Sequence, residues 1–240
     1  MNAILDNQIR QLGFWSAVIF LVTVVVSLVL PLDVPNGLYA EHADRVIWLN
    51  DNRSVFILGW VNQMISMLSL CGVFLGMAWY AAIRNPLRGI VGGIAILLSI
   101  TAFIIPKFIA IWTIPQLAEV SSSGGFGSGF ADQLLLLLNV SVPFSLYTSF
   151  DYLGFWLYAL FALVIAAPLY GNALSCKIAA VSLGVFGAAF HCLLIALLMK
   201  ILGAADIESW FLGSSLFLLV AIVAALFGFR RSGTEISRGL

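Results

Sequence analysis

Six separate stretches of this chain run for about twenty residues or more almost without charge, near 13–32, 55–83, 89–114, 152–170, 178–202 and 209–229. As helices, at 1.5 Å per residue, they match the ~30 Å hydrocarbon core of a bilayer. Lipid offers no water to backbone N–H and C=O groups, so such segments must satisfy them internally, as helices do. The expectation is an all-α integral membrane protein. It is a single domain over 1–240, a bundle of six transmembrane helices with an interfacial or re-entrant helix in the third connection.

Composition agrees with lipid as the main solvent. Of 240 residues, 62% are hydrophobic and only 9% are charged, where a soluble domain carries about 25%. Mean hydropathy is +1.09. Eleven basic and eleven acidic residues cancel, which argues against a basic nucleic-acid face. Cys71, Cys176 and Cys192 are odd in number, lack C-x-x-C spacing and lie in or beside apolar segments. They read as small packing residues rather than a disulfide framework or a zinc knuckle.

The first apolar run exceeds the 7–15 residues of a signal h-region, so an uncleaved span is expected. In the loop from Asp33 to Ser54, Val46–Leu49 alternate with Glu41, His42, Asp44 and Arg45. That mixture suits a short interfacial helix with Trp48 at headgroup level. Residues 84–88 form a tight turn, and Pro106 is expected to interrupt the third span. Residues 115–149 form the longest connection, with a flexible Ser/Gly tract at 121–129 and an apolar run at 134–138. Gln133–Phe150 is read as the interfacial or re-entrant helix. As a seventh span it would need a tight turn at Thr148–Asp151 and would put Arg230 and Arg231 on the wrong side.

Alternate connections differ in charge. With the amino terminus inside, the inner segments hold Arg10, Arg84, Arg88, Lys177, Arg230, Arg231 and Arg238 against only Asp6 and Glu235. The opposite side holds Arg45, Arg53, Lys107 and Lys200 with Asp33, Glu41, Asp44, Asp51, Glu119, Asp132, Asp151, Asp206 and Glu208. Basic residues in short loops stay cytoplasmic. A multi-pass protein of the inner (plasma) membrane follows, with both termini cytoplasmic.

Small residues should let these helices approach, since lipid supplies no hydrophobic drive for association. Ala180, Gly184, Ala188 and Cys192 form a stripe at spacing four; Gly72 with Gly76, and Gly89 with Gly93, repeat the pattern. Packing within the bundle accounts for these faces, and homodimerisation or a membrane partner is the alternative.

Ionisable and amide groups at membrane depth are costly and mark candidate sites. Lys107 lies ~27 Å from the inner end of its span, and His191 ~20 Å from the inner end of its own. Asp151 opens the fourth span, where the backbone dipole favours a carboxylate. Asn62 and Gln63 lie two turns below the outer end of theirs. Together Asn62, Gln63, Lys107, Asp151 and His191 define a candidate polar pocket open to the outside, covered by Glu41, His42 and Asp44. Each has a simpler role: Lys107 snorkelling, Asp151 capping a helix, His191 packing, and the two amides bonding across helices.

Other chemistries find little support. Haem ligation has only His42 and His191 to draw on, and no E-x-x-H pair suits a di-metal site. Ser145, Ser182 and Ser215 sit in no G-x-S-x-G turn, and the glycine tract precedes no G-K-[ST]. Lys200 ends its helix where a retinal base needs a mid-span lysine. Pro106 and Pro143 do not match as broken helices of two halves. No cofactor, metal or catalytic residue is therefore expected.

Residues 75–89 (LGMAWYAAIRNPLRG), 151–160 (DYLGFWLYAL) and 168–172 (PLYGN) close and open successive spans. With the six-span layout and long third connection, the chain resembles a bacterial family of small membrane proteins of unknown function. The resemblance implies a membrane fold and brings no catalytic residue. The expected function is non-enzymatic: binding a lipid-like or small apolar ligand, or a membrane partner. A small transporter or channel is the alternative, then an intramembrane enzyme; nucleic acid is not an expected partner.

Overall fold

A computed structural model of the protein describes residues 3–203 and 206–230, so Arg231, Glu235 and Arg238 lie outside the described residues, as does the side chain of Glu208. Of the described residues, 83% are helical and none lies in a strand. In order, the helices are α1 (Ala3–Ser27), α2 (His42–Asp51), α3 (Arg53–Arg84), α4 (Pro86–Ser122), α5 (Ser128–Leu137), α6 (Leu146–Leu169), α7 (Leu174–Leu198) and α8 (Ile207–Arg230). Six of these, all but α2 and α5, are long and apolar enough to cross a membrane. This is a multi-pass membrane protein.

Helix boundaries depart from the hydropathy limits where polar side chains find hydrogen-bond partners. α1 starts near residue 3 rather than 13, because Asp6 accepts from Trp79 Nε1 at 3.1 Å and Arg10 donates to Asn7 and to the Phe229 carbonyl. The expected five-residue turn between α3 and α4 shrinks to Asn85 alone. Its side chain accepts the Arg88 N–H at 3.1 Å, and Pro86 stands at the first helical position, where its missing N–H costs nothing.

Pro106 does not interrupt α4, which also passes through Pro115. Each proline removes one N–H. Ending the helix would instead strand several backbone groups in apolar surroundings, so continuing is the cheaper course. Gln133–Phe150 is likewise not one helix: α5 ends at Leu137 and α6 begins at Leu146. Pro143 disfavours helix at Val142, and Phe144 takes a left-handed φ of 66°.

The chain divides into two compact units. The first takes in the described parts of Met1–Phe20, Leu68–Ile100 and Phe155–Leu240; the second comprises Leu21–Met67 and Thr101–Gly154. In the first, α7 and α8 pack against one another, and close approach is set by glycines. A Cβ on Gly72 would fall 2.2 Å from Ser16 Oγ, and one on Gly187 only 2.7 Å from Leu163 and 2.9 Å from the Ala159 carbonyl. Aromatic rings fill the remainder: Phe74 meets Tyr158 and Phe161 at 4.9 Å each, and Tyr80 stacks on Phe229.

The stripe on α7 behaves differently from its spacing. Ala180 is buried, Gly184 half-buried, and Ala188 and Cys192 exposed. A strict four-residue step advances 40° per repeat around a 3.6-residue helix, so the stripe drifts off the contact face. The buried line instead runs Ala179, Leu183, Phe186, Phe190, Leu193, alternating steps of four and three. Among the other small residues, Gly76 meets Phe229, Gly89 meets Ala82, and Gly93 has open space.

In the second unit α2 and α5 are built onto parts of α3 and α4. At 32 and 37 residues, those helices extend to roughly 48 and 55 Å, well beyond a ~30 Å core. Val46 and Leu49 of α2 and Leu135 of α5 share one buried cluster with Phe56, Trp60, Ile114 and Ala118. The surplus length of α3 and α4 thus supplies the wall for the two short helices.

Candidate functional site

Ser145 caps α6: its Oγ accepts the Thr148 N–H at 3.1 Å. The helix therefore begins before Asp151, which stands in its second turn and caps nothing. That displacement, with the uninterrupted run of α4 through Pro106, faces Asp151 toward Lys107. Lys107 Nζ donates to Asp151 Oδ1 in a short ion pair. The lysine side chain is 5% exposed and the aspartate side chain 22%.

Three rings surround the ammonium. Phe103, one turn back on α4, centres 5.2 Å from Nζ; Tyr147, one turn back from Asp151, at 5.5 Å; Trp60 of α3 at 5.8 Å. Ring faces carry negative charge, so each attracts the cation, more strongly where water is excluded. Trp60 is fixed by donating to the Leu32 carbonyl at 3.1 Å and by edge contact with Tyr147 at 5.2 Å. A Cβ on Gly154 would come within 2.7 Å of Phe103, so glycine there admits that ring against α6. The Tyr147 hydroxyl is buried and makes no hydrogen bond within the protein. An unpaired hydroxyl beside an ion pair is an acceptor and donor in want of a polar partner.

The remaining residues of the expected pocket belong elsewhere. Asn62 donates to the Thr23 carbonyl at 3.0 Å and to Ser27 Oγ at 2.9 Å, and Gln63 donates to the same oxygen at 3.0 Å. They clamp α3 to α1, and none of these bonds reaches Lys107 or Asp151. His191, in the other unit, engages the Gly187 carbonyl of its own helix at 2.7 Å. Of the proposed cover, Glu41 and Asp44 are exposed. His42 Nε2 meets Asp132 Oδ1 at 3.1 Å.

Two clusters escaped sequence reasoning. Arg45 holds Asp33 through Nε and Nη2, at 3.1 and 2.9 Å, and also donates to the Gly37 carbonyl; Ser141 Oγ donates to the same Asp33. The pair is 7% and 9% exposed and lines a cavity of ≈ 10 Å³, room for about one water. Its signal was present, since Arg45 and Leu49 are four apart on a short helix and share a face.

The second cluster is His42, Asp132 and Ser121, whose hydroxyl also donates to Asp132 Oδ1. That hydroxyl first, and the imidazole second, hold the Asp132 carboxyl below its ordinary value. Both partners converge on one carboxylate oxygen, whereas a hydrolytic triad sets histidine between serine and aspartate. No group of three metal-binding side chains occurs among the described residues.

Comparison with known protein families, curated proteins and solved structures finds no match.

Proposed function

We propose that this protein is a binding protein of the plasma membrane, with both termini cytoplasmic, and that Lys107 and Asp151 form its polar site. The occupant is a lipid-like amphiphile with a zwitterionic headgroup, whose anionic part meets Lys107 and whose cationic part meets Asp151. One observation carries this reading: an ion pair within two membrane-length helices, walled by aromatic rings, with the Tyr147 hydroxyl unpaired beside it and the Asp151 side chain still partly exposed. Removing two charges from water costs several kcal/mol per ion and is poorly justified by stability alone. A transport path needs water at the charges, and the enclosure of Lys107 favours binding instead.

The orientation rests on Arg10, Arg84, Arg88, Lys177 and Arg230 at one set of helix ends, against carboxylates in the opposite connections. A reporter that folds only in the periplasm, fused after Leu240, should be inactive; activity there would reverse the topology. For the site, a photoreactive phosphatidylethanolamine incorporated into vesicles with the protein should label residues 101–112 and 146–155. Labelling spread evenly over all six long helices would oppose a defined site.

A further inference from the structure

Arg88 differs from Arg10 and Arg84. Arg10 and Arg84 each donate to a main-chain carbonyl, of Phe229 and of Pro168 and Tyr170 respectively. Among the described residues nothing accepts from the Arg88 guanidinium, which is exposed in the first turn of α4. Beside it lies a crevice of ≈ 380 Å³ whose walls are Leu87 and Val91 of α4 with Leu163 and Val164 of α6, all within the first unit. Next to Val91, a Cβ on Gly92 would strike Ile165 at 2.8 Å, so α4 and α6 approach closely beside the crevice.

An unspent guanidinium at the rim of an apolar trough matches one class of ligand. We infer that Arg88 and this crevice bind an anionic phospholipid, the phosphate on the guanidinium fork and an acyl chain along Leu87, Val91 and Leu163. The planar fork meets two phosphate oxygens at once, and guanidinium sheds water more readily than ammonium. Charge complementarity selects the headgroup, because the crevice side chains other than Arg88 are uncharged. Leu87, Val91 and Leu163 are themselves exposed, so a chain covers apolar surface already open to lipid.

The site is separate from Lys107 and Asp151, and its test leaves those residues untouched. The protein is reconstituted in vesicles of equal parts phosphatidylglycerol and phosphatidylcholine, extracted gently, and its retained lipids are counted by native mass spectrometry. Wild type should retain phosphatidylglycerol preferentially. Arg88→Gln should lower that preference about fivefold, the share of one basic side chain. Arg88→Lys should lower it less, which separates lost charge from lost fold. Leu163→Trp, at an exposed position, should reduce phosphatidylglycerol retention by filling the trough. Unchanged retention in Arg88→Gln or in Leu163→Trp overturns the inference. Displacement of the lipid by millimolar inorganic phosphate also overturns it, since the anion alone would then be the ligand.

Discussion

The two units of this molecule are held by different forces. In the first, glycines bring helices to contact and rings fill the space: Gly72 on Ser16, Gly187 on Leu163, Tyr80 on Phe229. In the second, among the described residues, lie ion pairs: His42–Asp132, Arg45–Asp33, Arg53–Glu119 and Lys107–Asp151. Close packing without charge is what lipid-solvated helices use to associate. Charge pairs do that work poorly, because their desolvation offsets their attraction.

The largest effect should come from splitting a buried pair. Lys107→Leu or Asp151→Leu alone leaves an uncompensated charge and should cost about 3–5 kcal/mol of stability in denaturant unfolding from detergent. The double apolar variant should recover most of that loss. Recovery absent in the double variant would mean that the pair is itself a main support of the fold. Arg45→Met should cost a similar amount, since Asp33 would keep only the Ser141 hydroxyl.

Packing in the first unit gives the next effect. Gly187→Ala places a Cβ 2.9 Å from the Ala159 carbonyl, which backbone cannot yield cheaply. A loss of roughly 1–3 kcal/mol is expected. Gly93→Ala, with open space around it, should be neutral or gain up to about 1 kcal/mol from helix propensity. Equal effects at the two glycines would erase the distinction between a contact face and a lipid face.

Smaller still is the strain at the end of α7. Lys200 follows the C-cap Met199 with a left-handed φ of 58°, so Lys200→Gly should stabilise by roughly 1 kcal/mol. The smallest effect is a pH dependence at Asp132. Its folded carboxyl sits below the ordinary value of 3.8, so its contribution is present above that value and lost as pH falls through the depressed one. Wild type and Asp132→Asn should therefore differ at neutral pH and converge in acid.

Much of the fold was legible in the sequence because its cause is local. Six oily runs with alternating basic and acidic connections require no knowledge of tertiary contacts. Helix ends were less legible, since polar residues such as Asp6 and Ser145 extend a helix only through partners far away or in the opposite reading of a loop. For the site, depth along a helix was readable while azimuth was not. Lys107 and Asp151 share a level and meet; Asn62 and Gln63 turn to α1, and His191 to its own backbone. The aromatic enclosure had a readable part, Phe103 and Tyr147 each standing four residues before a charge. Trp60, on another helix, left no such trace.

The embedded charges serve either recognition or folding, and the two roles predict different variants. The direct measurement is photolabelling by the reactive phosphatidylethanolamine of the Lys107→Leu/Asp151→Leu double variant, alongside its melting temperature. A folded variant near the wild-type melting temperature that loses labelling of residues 101–112 and 146–155 is the predicted result. A folded variant labelled as strongly as wild type would contradict it.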